Sequence, residues 1–167
     1  MKQVLVTGGS GFIGSHLCER LLKEGYFVIN LDNFNNYYDP KIKWRNIQKA
    51  LKSENYALYV GDIRDSNILQ QINDEQGKVD MVCHLAAMAG VRNSLKDPVE
   101  YVSVDIAGTV NMLEFARSNE VEKFVFASSS SVYGKNSKVP FSEDDPLKGQ
   151  VSPYATAKRA GELYCQT

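Results

Sequence analysis

The chain has 167 residues, of which 43% are hydrophobic and 23% charged, a composition that fits one globular domain around a single core. Its 19 basic and 20 acidic residues leave a formal net charge of -1, which argues against nucleic acid or an anionic membrane as a partner. No apolar run approaches the roughly 20 residues of a membrane-spanning helix, and the scattered Cys18, Cys83 and Cys165 are expected to be reduced and buried in a cytoplasmic protein.

Short apolar runs alternate with longer amphipathic stretches along the chain, a rhythm that is typical of βαβ units. The five expected strands are residues 3–7, 26–31, 56–60, 79–85 and 123–127. The expected helices are residues 12–24, 41–51 after Pro40, a short one around 68–72, a long one that Pro98 opens, and 153–166. Because several strands are apolar throughout, we expect an α/β fold with a doubly wound parallel sheet covered by helices on both faces.

A glycine-rich turn, TGGSGFIG, joins the first expected strand to the first helix. Gly8 permits a sharp turn, Gly11 lets a pyrophosphate approach the backbone, and Gly14 lets the helix pack close to the sheet. The helix N-terminus then offers free N–H groups to the phosphates. A glycine-rich turn can also be purely structural, but its place between a strand and a helix favours dinucleotide binding.

Two acidic residues follow the second and third strands. Asp32 stands eighteen residues after Gly14, where a carboxylate accepts both adenosine-ribose hydroxyls and repels a 2′-phosphate. Since no Arg or Lys occurs in residues 33–39, the pattern favours NAD over NADP. Asp32 is alternatively a loop cap. Asp62 is as easily a turn residue as an adenine contact.

A second cluster carries different chemistry. The fifth strand runs into four serines, 128–131, and a Tyr-x-x-x-Lys pair, Tyr154 and Lys158, follows on the last helix. Residues four apart share a helix face, and a lysine ammonium there favours the phenolate that a tyrosine base needs. Tyr37 and Lys41 have the same spacing, but Pro40 lies between them and no serine-bearing strand end precedes them. We therefore interpret Tyr37 and Lys41 as loop residues.

These motifs together resemble the extended short-chain dehydrogenase/reductase family, in its NAD-dependent epimerase/dehydratase branch. The resemblance rests on TGGSGFIG, Asp32, HLAA at 84–87, SSSSVYG and YATAK, and spans residues 2–162. It implies a Rossmann-type sheet in the order 3-2-1-4-5, with residues 1–167 as the NAD-binding domain. Members are about twice this length, so a C-terminal substrate-binding domain is expected in the parent protein and absent here.

The resemblance also assigns roles to residues. Ser129, Tyr154 and Lys158 are implied to be catalytic, with Tyr154 as the base and Ser129 bonding the substrate C4 oxygen. The implied NAD-binding residues are Gly8, Gly11, Phe12, Ile13, Gly14, Asp32, Asn33, Asp62, Ile63, Leu85, Ala86, Ala87, Tyr154 and Lys158. Arg92 is either a substrate contact or a solvated arginine, and no metal is expected. Asp105 departs from the family's usual Asn.

Within the family, 4,6-dehydratases carry an Asp-Glu pair and UDP-glucuronate decarboxylases a Glu where this chain has Ser130 and Ser131. The stretches AGVRNSL, FASSSSVYG and KVPFSEDD resemble UDP-glucuronate 4-epimerases. This similarity implies a UDP-sugar 4-epimerase that oxidises C4 transiently, and a homodimer formed by the helices that begin near Pro98 and Pro153. An NAD-binding module without turnover, or another NAD-dependent nucleotide-sugar dehydratase, decarboxylase or reductase, remains the alternative.

Overall fold

The computed structural model describes all 167 residues and contains one five-stranded sheet in the order β3-β2-β1-β4-β5. The strands are β1 (Gln3–Thr7), β2 (Phe27–Asp32), β3 (Tyr56–Val60), β4 (Met81–His84) and β5 (Lys123–Phe126). β1 runs parallel to both β2 and β4, with Leu5 opposite Ile29 and Val82. The predicted Rossmann-type α/β fold and strand order are therefore confirmed.

The helices follow the predicted order, with differences at their ends. They are α1 (Phe12–Lys23), α2 (Pro40–Ile47), α3 (Ser66–Gln76), α4 (Val91–Ser94), α5 (Pro98–Tyr101), α6 (Gly108–Ser118) and α7 (Pro153–Gln166). The helix expected over 41–51 ends at Ile47 and gives way to a 3₁₀ turn. The long helix expected from Pro98 is α5 and α6 joined by a π-helical segment, Val102–Ala107, and the four-residue α4 was not predicted.

The chain divides into two compact units, which are described separately. The first comprises Met1–Ala86 and Asn111–Val125, and the second Ala87–Val110 and Phe126–Thr167. In the first unit Val4, Leu5 and Val6 are all buried, although successive strand residues point to opposite faces. The sheet is therefore covered on both faces, as the apolar strands predicted.

The second unit is organised around α7. Helix α7 packs against α4, α5, the π-helical segment and the 3₁₀ turn Ser130–Tyr133. A Cβ at Gly161 would collide with the Phe126 ring, so this glycine permits a close approach of α7 to the end of β5. Of the three cysteines expected to be buried, Cys18 is buried and Cys83 is half-buried. The expectation is wrong for Cys165, because α7 leaves it exposed. No helix of the chain is long and apolar enough to cross a membrane.

Candidate active site

Backbone hydrogen bonds tie the glycine-rich turn to β2 and join its own residues. Gly8 N donates to Leu31 O at 2.8 Å and Gly11 N to Gly8 O at 3.1 Å. Gly8 has a φ of 69°, a region that L side chains avoid, and a Cβ there would lie 2.9 Å from Ala86 N. A Cβ at Gly14 would collide with the Gly8 carbonyl oxygen. The close packing at Gly14 is thus with the turn itself, not with the sheet as the motif suggested.

The N-terminus of α1 is open. Gly11 is its N-cap residue and supplies no side chain to satisfy the first amides. Phe12 and Ile13 are 77% and 67% exposed, although both are large and apolar. A helix N-terminus with unsatisfied N–H groups and a partial positive charge suits a diphosphate. These residues therefore fit the phosphates of a dinucleotide.

A pair of glycine substitutions separates binding from folding. We expect Gly11→Ala to keep the fold, because its Cβ would approach only the Gly8 carbonyl oxygen, at 3.3 Å, and the Tyr38 hydroxyl, at 3.8 Å. It should nevertheless lower the affinity for NAD by at least about tenfold. Gly14→Ala is the matched control and should lower the melting temperature sharply, because its collision is inside the turn. Calorimetric titration and thermal melts measure both. Equal losses of NAD affinity and stability in both variants would contradict the assignment.

Asp32 lies at the end of β2 and is buried. Its Oδ2 accepts from Ser10 N at 3.1 Å and its Oδ1 from Phe34 N at 2.9 Å. Oδ1 also accepts from Lys43 Nζ at 3.1 Å. The carboxylate is therefore anchored to the glycine-rich turn and paired with a cation that the sequence argument, restricted to residues 33–39, missed.

Asp62 joins the loops that follow β2 and β3. Its carboxylate accepts two side-chain hydrogen bonds from Arg64, both at 2.8 Å, and one from Asn33 Nδ2 at 2.9 Å. The Arg64 hydrogen bonds lower the pKa of Asp62 to about 2, so the group is ionised at neutral pH. The neighbouring Ile63 is buried. The structure thus gives Asp62 a turn-stabilising role, and adenine contacts by Asp62 and Ile63 stay predictions.

A series of buried hydrogen bonds fixes the end of β4. Thr7 Oγ1 lies 2.7 Å from His84 Nδ1 and accepts from Ala86 N at 3.1 Å, while Leu85 N donates to Thr7 O. His84 is fully buried, as expected of a structural strand-end histidine. Leu85 and Ala86 in the first unit, and Ala87 in the second, are half-buried. Their predicted contacts with the cofactor depend on this backbone.

Ser129 follows the end of β5 and caps the 3₁₀ turn Ser130–Tyr133. Its Oγ accepts from Ser131 N at 3.2 Å and from Ser131 Oγ at 3.0 Å. A serine hydroxyl has two acceptor sites and one proton to donate. Since Ser131 uses both acceptor sites, Ser129 is prepared to donate its proton to another oxygen.

Lys158 and Tyr154 lie on α7, whose start is capped by Ser152 accepting from Ala155 N. Lys158 is buried, and its Nζ donates to Ala127 O at 3.0 Å and lies 5.0 Å from the centre of the Phe126 ring. Tyr154 is half-buried, with its ring edge-on to Tyr101 at 6.2 Å.

The same contacts join the two segments that carry the predicted trio. Ser128 Oγ donates to Glu162 Oε1 on α7, and Lys158 Nζ donates to the Ala127 carbonyl oxygen. The segment that carries Ser129 is therefore tied to the helix that carries Tyr154 and Lys158. Tyr37 and Lys41, which have the same spacing, belong to the other unit. Tyr37 lies in the loop before α2, whereas the interpretation of Lys41 as a loop residue is wrong, because it lies in the first turn of α2.

Asp105 lies in the π-helical segment and is almost completely buried. Its Oδ1 accepts from Met88 N at 2.6 Å, whereas its Oδ2 is buried without a hydrogen-bond partner. Burial raises the pKa of Asp105 to about 6, an effect that the positive charge of Lys158 opposes. Burial lowers the pKa of Lys158, and the Asp105 charge counteracts that shift. By contrast, Arg92 in α4 is exposed, and its predicted substrate contact stays a prediction.

Comparisons with known proteins agree with this geometry. A family model described as GDP-mannose 4,6 dehydratase matches residues 5–167. UDP-glucuronate 4-epimerase 1 of Arabidopsis thaliana is 49% identical over 98% of this chain and 38% of its own length. An uncharacterised protein of Methanocaldococcus jannaschii, MJ1055, is 45% identical over 97% of this chain and 50% of its own.

Solved structures give the same result. UDP-glucuronic acid 4-epimerase from Bacillus cereus, crystallised with UDP-glucuronic acid and NAD, is 38% identical and superposes with a TM-score of 0.88 over 98% of this chain and 51% of its own. UDP-glucose 4-epimerase from Bifidobacterium longum, crystallised with NAD+ and UDP, is 34% identical with a TM-score of 0.88, over 99% and 48% of the two chains. The chain spans about half the length, or less, of the relatives it matches.

Proposed function

The chain belongs to the family described as GDP-mannose 4,6 dehydratase, within the extended short-chain dehydrogenase/reductases, and on that premise we propose that it is the cofactor-binding part of an NAD-dependent UDP-sugar 4-epimerase acting on UDP-glucuronate. The observation that carries the proposal is the attachment of the Ser129 segment to α7 through Lys158 and Glu162. It brings a hydroxyl donor, a tyrosine and a buried cation into one unit.

The chain's own residues suit a reversible oxidation at a sugar hydroxyl. NAD, when bound, supplies the hydride acceptor for the carbon that bears that hydroxyl. Tyr154 accepts the hydroxyl proton, and Lys158 lies one helical turn further along α7. Ser129 donates a hydrogen bond to the same substrate oxygen, since its acceptor sites are already used. Tyr154 returns the proton to the same oxygen once the hydride has gone back to the opposite face of that carbon, so the configuration inverts with no net oxidation.

The residues beside this trio favour epimerisation over dehydration. Loss of water from a sugar needs an acid and a base at the two carbons involved. Ser130 and Ser131 stand where dehydratases of the family carry that pair, and a serine hydroxyl is too weak an acid and base for the task. The similarity to UDP-glucuronate 4-epimerases over 98% of the chain supports the same choice.

The proposal is tested by binding and turnover measured separately. NAD affinity is measured by calorimetry, and conversion of UDP-glucuronate to UDP-galacturonate by NMR, in this chain and in a longer form with a C-terminal substrate-binding domain. We expect NAD binding in both and conversion in the longer form. A pentose or keto product would instead indicate a decarboxylase or reductase. NAD binding without conversion in either form would indicate that the protein is an NAD-binding module without turnover.

A homodimer in the cytoplasm is also part of the proposal. The second unit exposes large apolar residues on the elements expected at the dimer interface. They are Val99, Val102, Leu163 and Tyr164. Light scattering is expected to give twice the mass of one chain, and replacing Val99 and Leu163 by lysine should halve it. A monomeric wild-type protein would contradict the dimer without affecting the proposed chemistry.

A further inference from the structure

Lys43 is a buried cation that no step of the proposed function uses. It lies on α2, and its side chain is 8% exposed beside the 3% exposed side chain of Asp32. Its Nζ donates to Asp32 Oδ1 at 3.1 Å and to Asn35 Oδ1 at 3.2 Å. It also lies 5.5 Å from the centre of the Tyr38 ring. A buried lysine is rare unless it is paired, and Asp32 is the carboxylate that pairs with Lys43.

The ion pair changes what Asp32 does to a cofactor. A lone carboxylate would repel a 2′-phosphate by its charge, but Lys43 cancels that charge at a distance of 3.1 Å. The carboxylate then excludes a 2′-phosphate because it occupies the space and the hydrogen-bonding sites that the phosphate would need. Behind it stands an ammonium group, which binds phosphate as a point charge.

We propose that Lys43 is a second specificity-determining residue, which holds Asp32 in place for NAD and is a latent binding site for the 2′-phosphate of NADP. The inference rests on the proposed NAD-binding function. Removing the Asp32 carboxylate alone therefore suffices to make the chain accept NADP, because the cation is already in position. Asn35, also bonded to Lys43, orients the ammonium in both cases.

Calorimetric titrations of NAD and NADP into the 167-residue chain test this inference. We expect the wild type to prefer NAD and Asp32→Ser to prefer NADP, with the ratio of the two dissociation constants changing by at least about a hundredfold. In Asp32→Ser/Lys43→Met the NADP preference should disappear, at a cost of roughly tenfold or more in NADP affinity relative to Asp32→Ser. Lys41→Met, an exposed lysine on the same helix, is the matched control and should change neither ratio.

Asp32→Ser leaves a buried ammonium without its carboxylate and is expected to lower stability markedly. Asp32→Asn keeps an oxygen acceptor for Lys43 without the charge, and should show the same shift toward NADP in a better-folded protein. In both variants NADP should raise the melting temperature more than NAD does.

The outcomes distinguish the two hypotheses. If the wild type binds NAD but neither single variant gains NADP affinity, or if the double variant keeps the gain, the inference about Lys43 is wrong while the proposed function stands. If the wild type and all variants bind neither dinucleotide, the proposed function fails and the inference with it.

Discussion

Replacing Tyr154 by phenylalanine is expected to lower the rate of epimerisation by about 10²- to 10⁴-fold in a form of the protein that turns over, because it removes the group that we propose as the acceptor of the substrate proton. The ring contact with Tyr101, at 6.2 Å and 81°, does not need the hydroxyl. We therefore expect the melting temperature to change little. Conversion of UDP-glucuronate followed by NMR measures the rate.

The matched control for this substitution is Tyr37→Phe. Tyr37 precedes Lys41 at the same spacing but lies in the loop before α2, in the other unit. Its replacement should leave the rate of epimerisation within about twofold of the wild type. A Tyr154→Phe variant that retained a third of the rate, or a Tyr37→Phe variant that lost as much as Tyr154→Phe, would remove Tyr154 from the mechanism.

The order of strands and helices was accessible from the sequence because each strand is an apolar run that the sheet buries. β1 and β3 have the predicted limits, since turn-forming residues or charges bound them on both sides. β4 is shorter than expected. The prediction began the strand at Val79 because that residue is apolar, and Val79 is indeed buried, but the strand begins at Met81. An apolar residue can therefore be buried without belonging to a hydrogen-bonded strand.

The sequence argument missed Lys43 because it searched only residues 33–39 for a cation near Asp32. A search that extended into α2 would have included it. Its position on α2 is four residues before the buried Ile47, on the same face of the helix. A charged residue on a buried helix face needs a partner, and Asp32 is the carboxylate that α2 reaches. The ion pair itself depends on how α2 packs, which no local pattern specifies.

The π-helical segment was likewise not predictable, because its apolar spacing is close to that of an α-helix. What the sequence did mark was Asp105, a charged residue where the family usually has Asn. The structure shows what surrounds the Asp105 side chain. The carboxyl group lies almost completely buried, with one oxygen accepting from Met88 N and the other lacking a partner.

Asp105→Asn is expected to stabilise the protein at neutral pH and to have little effect in acid. Burial raises the pKa of Asp105 from 3.8 to about 6 in the folded chain. Between these pH values the folded state holds a proton that the unfolded state has released, so the contribution of Asp105 to stability falls as pH rises from about 4 to about 6. A shift of this size corresponds to roughly 3 kcal/mol, with the opposing attraction of Lys158 already included.

Thermal melts of the wild type and Asp105→Asn at several pH values measure this effect. At pH 7.5 the variant should melt about 5 °C higher, because an amide is neutral at every pH and still accepts the Met88 hydrogen bond through its oxygen. Below pH 4 the two melting temperatures should converge, since Asp105 is then protonated in both folded and unfolded chains. Asp144→Asn removes an exposed carboxylate and is the matched control. A difference between Asp105→Asn and the wild type that stayed constant from pH 4 to pH 7.5 would show that the substitution acts through packing, and that the buried carboxyl does not titrate in this range.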